Sequence, residues 1–450
     1  MAYPLPTKRR PSSFRMRSRL EAYFRFAEHQ TSWRAEILAG FTTFITMAYI
    51  IFVNPAILSQ TGMPLAAVTA STCLCAACGS ILMGLLANYP LALAPGMGLN
   101  VYFTYTVVKG MGVAWQTALG AVFLSGILFL LLTIGGVRQR LVGAIPHQLH
   151  AAVAGGIGLF LAFVGLVNSG IIVRSSVTAV TLGDLHQHST QLAIFGVLLI
   201  SILQAYRVKA SMLLGVLGTL ALGILAHQVR YQPGRFRPMA IRCTALRLDL
   251  RGALHLNLFD IIFVFLFVDL FDNIGTLVAV AEQAGLIAED HTIPRLNRIF
   301  LADATSTVVG ALAGTSTVTS YIESSAGVAA GGRSGVTAIT TGVLFLAAIF
   351  VAPVAGNIPS FATAPALILV GALMLKGTSS IEWNEPRVAI PAFLILITIP
   401  LSYSIATGLA FGLISFAVLE VATGGFRRRH WMLYLLAVLF LVRFLLVPPL

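Results

Sequence analysis

The feature that most constrains this chain is a succession of apolar runs, most of them near twenty residues long, separated by short polar or Gly/Pro-containing breaks. A helix of about twenty residues matches the thickness of the bilayer hydrocarbon. Such runs lie at 34–53, 65–86, 92–108, 113–134, 150–168, 190–206, 210–226, 257–281, 296–313, 316–330, 335–355, 361–376, 387–402 and 405–422. The sequence therefore predicts an all-α polytopic membrane protein with fourteen transmembrane segments.

Composition supports this class. Only 10% of the 450 residues are charged, against about 25% in a typical soluble domain. The net charge of +13 raises the question of nucleic acid, but no basic stripe interleaved with aromatic residues accompanies it. We expect no nucleic-acid partner. Cys73, Cys75 and Cys78 share one apolar run without a nearby histidine, which favours helix packing over metal binding. No metal or cofactor is predicted.

The distribution of Lys and Arg predicts the orientation. An even number of spans puts both ends of the chain on one side, and the basic residues favour the cytoplasm for both. Residues 1–33 are expected to form a basic cytoplasmic segment with an amphipathic helix, and 423–450 a basic interfacial segment that includes the apolar run 431–447. The exception is 227–256, which carries six arginines but is predicted to be a long external loop.

The chain also repeats itself at a spacing of 226 residues. Gly84-Leu-Leu-Ala87 matches Gly310-Ala-Leu-Ala313, and Pro95-Gly96-Met97 corresponds to Tyr321-Ile322-Glu323. The same spacing sets Thr43 and Thr46 of the first span against Asp269 and Asp272 of the eighth. Two halves of seven spans must be inverted relative to each other, a common transporter plan.

Acidic residues within apolar spans are the candidate functional groups, because a carboxylate inside a bilayer is costly and usually lines a substrate or proton path. Asp269 and Asp272 lie three residues apart, on one helical face of the eighth span. Glu323 lies in the tenth span, and Asp303 lies in the ninth. Glu36, Asp260 and Glu420 lie near predicted span ends, and we expect them to be solvated.

The third and tenth spans are poor continuous helices. The third begins Leu91-Ala-Leu-Ala-Pro-Gly-Met-Gly-Leu-Asn100, and the tenth follows Gly314 and is rich in Thr and Ser. Paired broken segments at equivalent positions of two inverted halves indicate a substrate site. We expect Asp272 and Glu323 to bind substrate, with further contacts from Asn273, Thr276, Met97, Gly98, Thr43 and Thr317. Asp269 and Asp303 are the candidates for handling the coupling proton. The alternatives are that Asp269 positions the site or bonds a Ser or Thr of a neighbouring span, and that Asp303 is a structural hydrogen-bond hub. Asn100 is read as interfacial or structural.

These residues give the chain a resemblance to the nucleobase–cation symporter-2, or nucleobase/ascorbate transporter, family, and within it to the guanine/hypoxanthine and adenine (azaguanine-type) permeases. The resemblance rests on Gly40-Phe-Thr-Thr-Phe-Ile-Thr-Met-Ala-Tyr49, Ala94-Pro-Gly-Met-Gly-Leu-Asn100, Phe271-Asp-Asn-Ile-Gly-Thr276 and Tyr321-Ile-Glu-Ser-Ser-Ala-Gly-Val-Ala-Ala-Gly-Gly-Arg333. It covers about Ser32 to Val447.

The resemblance implies a core domain (34–134 and 257–356), a gate domain (135–226 and 357–422) and short strands in spans 3 and 10. It also implies proton-coupled, elevator-type purine uptake across the bacterial inner membrane, with Asp272 and Glu323 as the base-binding carboxylates and a possible homodimer. The chain departs from the branch at Asn273, where Thr is usual, and at Val388 and Thr407, where acids are common. The first departure leaves the particular purine open.

Other functions remain as alternatives. A relative that carries uracil, xanthine or another small solute would have the same fold, whereas an anion carrier fits poorly with Asp272 and Glu323. An intramembrane enzyme with paired aspartates needs two acids on different spans, but Asp269 and Asp272 share one helix. A non-transporting sensor is a further alternative. The sequence favours a transporter and not an enzyme.

Overall fold

The structure, a computed structural model, describes residues 12–136, 146–229, 240–255, 259–287, 293–351, 358–424 and 431–446. These residues are mostly helical. The elements of the first half are α1 (Ser12–Tyr23), α2 (Trp33–Met47), α3 (Ile50–Leu58), α4 (Leu65–Leu86), β1 (Leu93–Pro95), α5 (Met97–Val101, continued by a π-helix at Tyr102–Gly110), α6 (Trp115–Ile134), α7 (His147–Asn168), β2 (Ile172–Ser175), β3 (Ala179–Leu182), α8 (His188–Ala205) and α9 (Ser211–Leu225).

The second half follows a short helix, α10 (Leu250–Ala253). Its elements are α11 (Phe259–Gln283), α12 (Leu296–Ala313), β4 (Val318–Ser320), α13 (Ser324–Ala329), α14 (Gly335–Val351), α15 (Ser360–Met374), α16 (Pro386–Ser402), α17 (Ile405–Ala422) and α18 (Trp431–Leu446). Among the described residues, eight helices are long and apolar enough to cross a membrane, and four shorter apolar helices accompany them. The helical polytopic architecture is confirmed, while the number of fourteen crossings stays a prediction.

The first predicted span is two helices. Helix α2 ends at Met47 and α3 begins at Ile50, with Ala48 and Tyr49 between them. Just before the break, the Thr46 hydroxyl donates to the carbonyls of Thr42 and Thr43 at 3.1 and 2.8 Å. Such back-bonding from a hydroxyl often bends helices, and it puts Tyr49 at the bend.

Strands β1 and β4 pair antiparallel, with Leu93 opposite Ser320 and Pro95 opposite Val318. On the outer edge of each strand, a hydroxyl from a neighbouring helix takes the hydrogen bonds that a further strand would otherwise supply. Ser80 of α4 bonds both the N–H and the carbonyl of Leu93, at 3.0 and 3.1 Å. Thr307 of α12 bonds both groups of Val318, at 3.2 and 3.0 Å. Because backbone groups at membrane depth need internal partners, these hydroxyls allow a two-stranded sheet to exist there.

Helix packing is reciprocal between the halves. Helix α4 packs on α14 and α6 packs on α12, and α4 and α12 also touch each other. A separate set of contacts joins α7 to α15 and α16, α8 to α9, and α16 to α17. At the α4–α14 crossing a Cβ on Gly335 would overlap the carbonyl of Gly84, so only glycine allows this approach. This pairing is what an inverted repeat predicts.

Two loop elements were not predicted. An exposed hairpin, β2–β3, follows α7. Within the predicted external loop, Leu246 donates its N–H to the carbonyl of Leu312 at 2.7 Å, and Asp249 accepts from Thr117 of α6 at 3.0 Å. This part of the loop is therefore docked on α6 and α12.

Helix α18 runs antiparallel to α17. The Tyr434 hydroxyl donates to Glu420 at 2.8 Å, and the rings of Phe411 and Phe444 lie 5.8 Å apart. One face of α18 is buried (Leu433, Leu436, Ala437, Phe440), and the opposite face exposes Leu435, Val438, Leu439 and Val442. The assignment of 423–450 as an interfacial segment stays a prediction, although both described faces of α18 are apolar.

Candidate functional site

Glu323 stands where the chain leaves β4 and enters α13. Its side chain is partly exposed, and its Oε1 accepts a 2.6 Å hydrogen bond from the hydroxyl of Tyr49, which is fully buried. The Thr46 hydroxyl approaches the Glu323 carbonyl at 3.5 Å. The bend of the first span and the end of the strand therefore meet at this carboxylate. Sequence reasoning quoted Tyr49 in a motif but did not predict it as a site residue.

Helix α11 lies against β4 and α13 and brings two further polar side chains to them. Asn273 is fully buried and its Oδ1 accepts from the Ser320 hydroxyl at 2.6 Å, while its Nδ2 has no hydrogen-bond partner among the described residues. Asp269 is 3% exposed, and its Oδ2 accepts from Thr307 at 3.4 Å. Asp272 lies in the same helix, but its side chain is outside the described residues.

The other predicted residues are distributed around this arrangement. Asp303 is fully buried one turn before Thr307, on the same face of α12. Thr276 is half-buried in α11. Thr43 and Thr317 are fully buried, and within the described part of the chain their hydroxyls have no hydrogen-bond partner. Buried polar groups normally find partners, so these two hydroxyls have hydrogen-bonding capacity that the described residues leave unused.

Met97 and Gly98 open α5 beside the sheet. Gly96 donates its N–H to the carbonyl of Thr317 at 2.9 Å, and this bond continues the β1–β4 ladder. A Cβ on Gly98 would overlap Cγ2 of Ile157 in α7. Gly98 thus allows α5 to contact α7, which belongs to the separate set of helix contacts formed by α7, α8, α9, α15, α16 and α17. Met97, the neighbour of Gly98, is 7% exposed.

A buried amide network lies behind the strands and was missed as such. Asn100 donates to Oδ1 of Asn54 and accepts from Ser316, while Asn54 donates to Thr72 at 2.7 Å and to Thr315 at 3.2 Å. All these residues are fully buried. Asn100 is therefore not interfacial: it ties α3, α4, α5 and the segment before β4 together. In the sequence, this network could have been suspected from two carboxamide side chains, Asn54 and Asn100, that lie inside apolar runs.

The expectation that Glu36 and Glu420 are solvated was wrong. Glu36 is fully buried and accepts from Thr337 at 2.6 Å, Thr31 at 2.8 Å and the backbone N–H groups of Arg333 and Ser334 at 3.0 and 3.3 Å. Glu420 is 7% exposed and is bonded by Tyr434. Proximity to a span end did not imply water, because neighbouring segments cover both carboxylates. The Asp260 side chain is outside the described residues.

A cavity of about 670 Å³ lies elsewhere, at the far end of α3. Its polar lining consists of neutral groups, including Gln60, Asn168 and Gln228, and none of the predicted site residues lines it. Among the described residues, no group of three or more His, Cys, Asp or Glu is placed to hold a metal. The chemistry near the sheet is thus that of two carboxylates and an amide: Glu323 at the break between β4 and α13, and Asp269 and Asn273 within the continuous helix α11.

The fold is shared with solved transporters. The transmembrane domain of a cyanobacterial bicarbonate transporter, BicA, superposes with a TM-score of 0.60 at 15% identity, over 84% of this chain and 98% of that one. Murine Solute Carrier 26 family member A9, an anion transporter in the inward-facing state, gives 0.65 at 11% identity, over 93% and 73%. These likenesses concern the fold alone.

Sequence comparison is more specific. A putative permease of Methanocaldococcus jannaschii is 50% identical over 94% of this chain and 98% of its own length. The adenine permease AdeP of Escherichia coli is 43% identical, covering 95% and 96%. The guanine/hypoxanthine permease PbuG of Bacillus subtilis is 46% identical, covering 95% and 99%.

The apolar helices and the relatives named permeases together define a multi-pass membrane permease, and these relatives are transporters and not enzymes. The Permease family model (Xan_ur_permease) matches residues 34–411. The chain belongs to this family, the nucleobase/ascorbate transporters, as its motifs indicated.

Proposed function

We propose that this protein is a secondary active transporter that takes up purine nucleobases together with protons. The observation that carries the proposal is the Glu323 carboxylate, held at the end of β4 by Tyr49, while α11, which carries Asn273 and Asp269, packs against β4 and α13. Ring and exocyclic N–H groups of a purine are donors that carboxylate and amide oxygens accept. The permeases named for adenine, guanine and hypoxanthine, which align over 95% of this chain, support the purine class.

In this proposal Asp272 and Glu323 bind the base, and Asn273, Thr276, Met97, Gly98, Thr43 and Thr317 complete the site. Asp269 and Asp303 handle the proton, because a carboxylate buried at membrane depth can exchange a proton during transport. An acidic site also argues against anion transport, even though BicA and Solute Carrier 26 member A9 share the fold.

The proposed motion is an elevator-like displacement of a core (34–134 and 257–356) against a gate (135–226 and 357–422). The reciprocal contacts of α4, α6, α12 and α14, and the separate contacts of α7–α9 with α15–α17, support this division. Location in a bacterial inner membrane with both termini in the cytoplasm, and a homodimer, belong to the same proposal.

The test is uptake of radiolabelled adenine, guanine, hypoxanthine and uracil by cells that express the protein, with and without a protonophore. We expect saturable purine uptake that collapses with the proton gradient. Asp272→Asn and Glu323→Gln should abolish it, whereas Glu282→Gln, which changes an exposed carboxylate of the same helix as Asp272, should not. Uptake of uracil alone would favour the alternative substrate class, and full activity of Glu323→Gln would refute the site.

A further inference from the structure

The bond between Tyr49 and Glu323 joins residues that are 274 positions apart, and it links the bend of the first span to the proposed base-binding carboxylate. The Tyr49 ring is fully buried, so its position is fixed by packing. A buried hydroxyl that donates to a carboxylate forms a short, charge-assisted bond, stronger than a neutral one. The orientation of Glu323 therefore depends on Tyr49.

The bond occupies one oxygen of the carboxylate. Oε1 takes the Tyr49 hydroxyl, so Oε2 is the oxygen with most acceptor capacity left for a ligand. A carboxylate that rotates freely must be ordered when a ligand binds, at a cost in side-chain entropy. A carboxylate already held through one oxygen avoids much of that cost.

The hydroxyl–carboxylate pair joins the two halves and has no repeat-related counterpart. At the spacing of 226 residues, Tyr49 corresponds to Gly275 and Glu323 corresponds to Met97. A Cβ on Gly275 would meet none of the described residues within 4 Å, so no tyrosine-like contact is built at the repeat-related position. The hydroxyl–carboxylate pair is thus an asymmetric feature of an otherwise symmetric plan, located where the proposed substrate binds.

We propose that Tyr49 is the positioning residue of Glu323: its hydroxyl holds Oε1 so that Oε2 faces the N–H edge of the purine. The inference rests on the proposed function and adds a residue that acts through Glu323 without being one of the base-binding carboxylates. A residue with this role sets affinity for the base, because it pre-orders the acceptor in the free protein.

The test compares Tyr49→Phe, which keeps the ring and removes the hydroxyl, with Tyr89→Phe. Tyr89 is a matched control, because its hydroxyl donates to the carbonyl of Pro294 at 2.9 Å, away from the hydrogen bonds found for the described site residues. We expect Tyr49→Phe to raise the apparent KM for purine uptake roughly tenfold to a hundredfold, the value of a hydrogen bond to a charged group, with a smaller change in maximal rate. Tyr89→Phe should leave KM unchanged.

A double-mutant cycle distinguishes positioning from a general structural effect. Glu323→Asp shortens the side chain and withdraws its carboxylate from Tyr49, so adding Tyr49→Phe to it should change KM little. Purine-induced stabilisation of the purified variants against heat gives the same comparison without transport.

The outcomes separate the two proposals. Absence of purine uptake and binding by the wild-type protein would refute the proposed function itself. Wild-type uptake with an unchanged KM in Tyr49→Phe would overturn the positioning role, and so would equal costs of Tyr49→Phe in the wild-type and Glu323→Asp backgrounds. Failure of Tyr49→Phe to reach the membrane would assign the hydroxyl to folding and would also overturn it.

Discussion

Ser80 and Thr307 perform the same task in the two halves of the molecule: each hydroxyl bonds both backbone groups of the first residue of a strand, Leu93 or Val318. The strands lie among buried apolar residues, where an unpaired backbone group is costly. The two hydroxyls therefore replace the third and fourth strands that a larger sheet would have provided.

The first prediction concerns these hydroxyls. Thr307→Val and Ser80→Ala each leave two backbone groups of a strand without a partner, so each should destabilise the protein by about 1–3 kcal/mol. The measurement is the thermal unfolding midpoint of the purified protein. Thr340→Val is the control, because among the described residues that hydroxyl bonds just the Val336 carbonyl of its own helix. Equal midpoints for Thr307→Val and Thr340→Val would contradict the role of the hydroxyl.

The second prediction concerns the approach of α5 to α7. Gly98→Ala places a methyl group against Cγ2 of Ile157, and a β-branched side chain cannot readily turn away. We expect a clear loss of transport rate, because the clash lies between the proposed core and gate. Adding Ile157→Ala removes Cγ2 and should restore much of the rate, whereas Ile157→Val keeps a γ-methyl and should not. Rescue by both, or by neither, would show that this contact is not the cause.

The third prediction concerns Glu36. The carboxylate binds two hydroxyls and two backbone N–H groups at the start of α14, so Glu36→Ala leaves four donors without it. We expect a loss of about 2–4 kcal/mol, read as a lower unfolding midpoint. Glu28→Ala, at an exposed carboxylate in the preceding turn, should change the midpoint little. A small effect at Glu36 would mean that water replaces the carboxylate there.

The fourth prediction concerns pH. The carboxylate of Asp249 accepts hydrogen bonds from the Gly252 N–H and the Thr117 hydroxyl, and these bonds hold its pKa below the ordinary value of 3.8. A pKa lowered by folding stabilises the folded state above the unfolded value and loses this contribution as pH falls through the folded value. The difference in unfolding midpoint between wild type and Asp249→Ala should therefore shrink between about pH 5 and pH 2.

Asp249→Asn is the control for the pH experiment. Its amide oxygen can accept the Gly252 N–H and cap α10, and its amide nitrogen can donate to the Thr117 hydroxyl, but the side chain does not titrate in this range. The midpoint difference between Asp249→Asn and Asp249→Ala should then be independent of pH. A parallel pH trend in both comparisons would show that another group is responsible.

Much of this architecture follows from the pattern of the sequence. The apolar runs predict the helices, and the lack of helix-forming residues around Pro95 and after Gly314 predicts irregular segments where β1 and β4 lie. The strands begin 225 residues apart, close to the spacing of the repeat. These features are local or periodic, which is why a single sequence reveals them.

The contacts that define the site depend on long-range packing and leave no such pattern. Tyr49 shows no periodicity that would connect it with Glu323, and its role becomes visible only when the bend of the first span is placed beside α13. Glu36 was misjudged for a related reason. Its position near a span end suggested water, but the turn before α14 supplies backbone N–H groups that a sequence does not reveal.

The pairing of β1 with β4 has a consequence for how the protein is made. Leu93–Pro95 emerges from the ribosome long before its partner, because about 225 residues separate the two strands. Until the second half has entered the bilayer, the backbone groups on the inner edge of β1 have no strand to pair with, and the hydrocarbon supplies no hydrogen-bond partner. The first half is therefore expected to be an incomplete unit during synthesis, dependent on the insertion machinery or water to shelter that edge. When the two halves are expressed as separate chains, each should escape degradation only if the other is present in the same membrane.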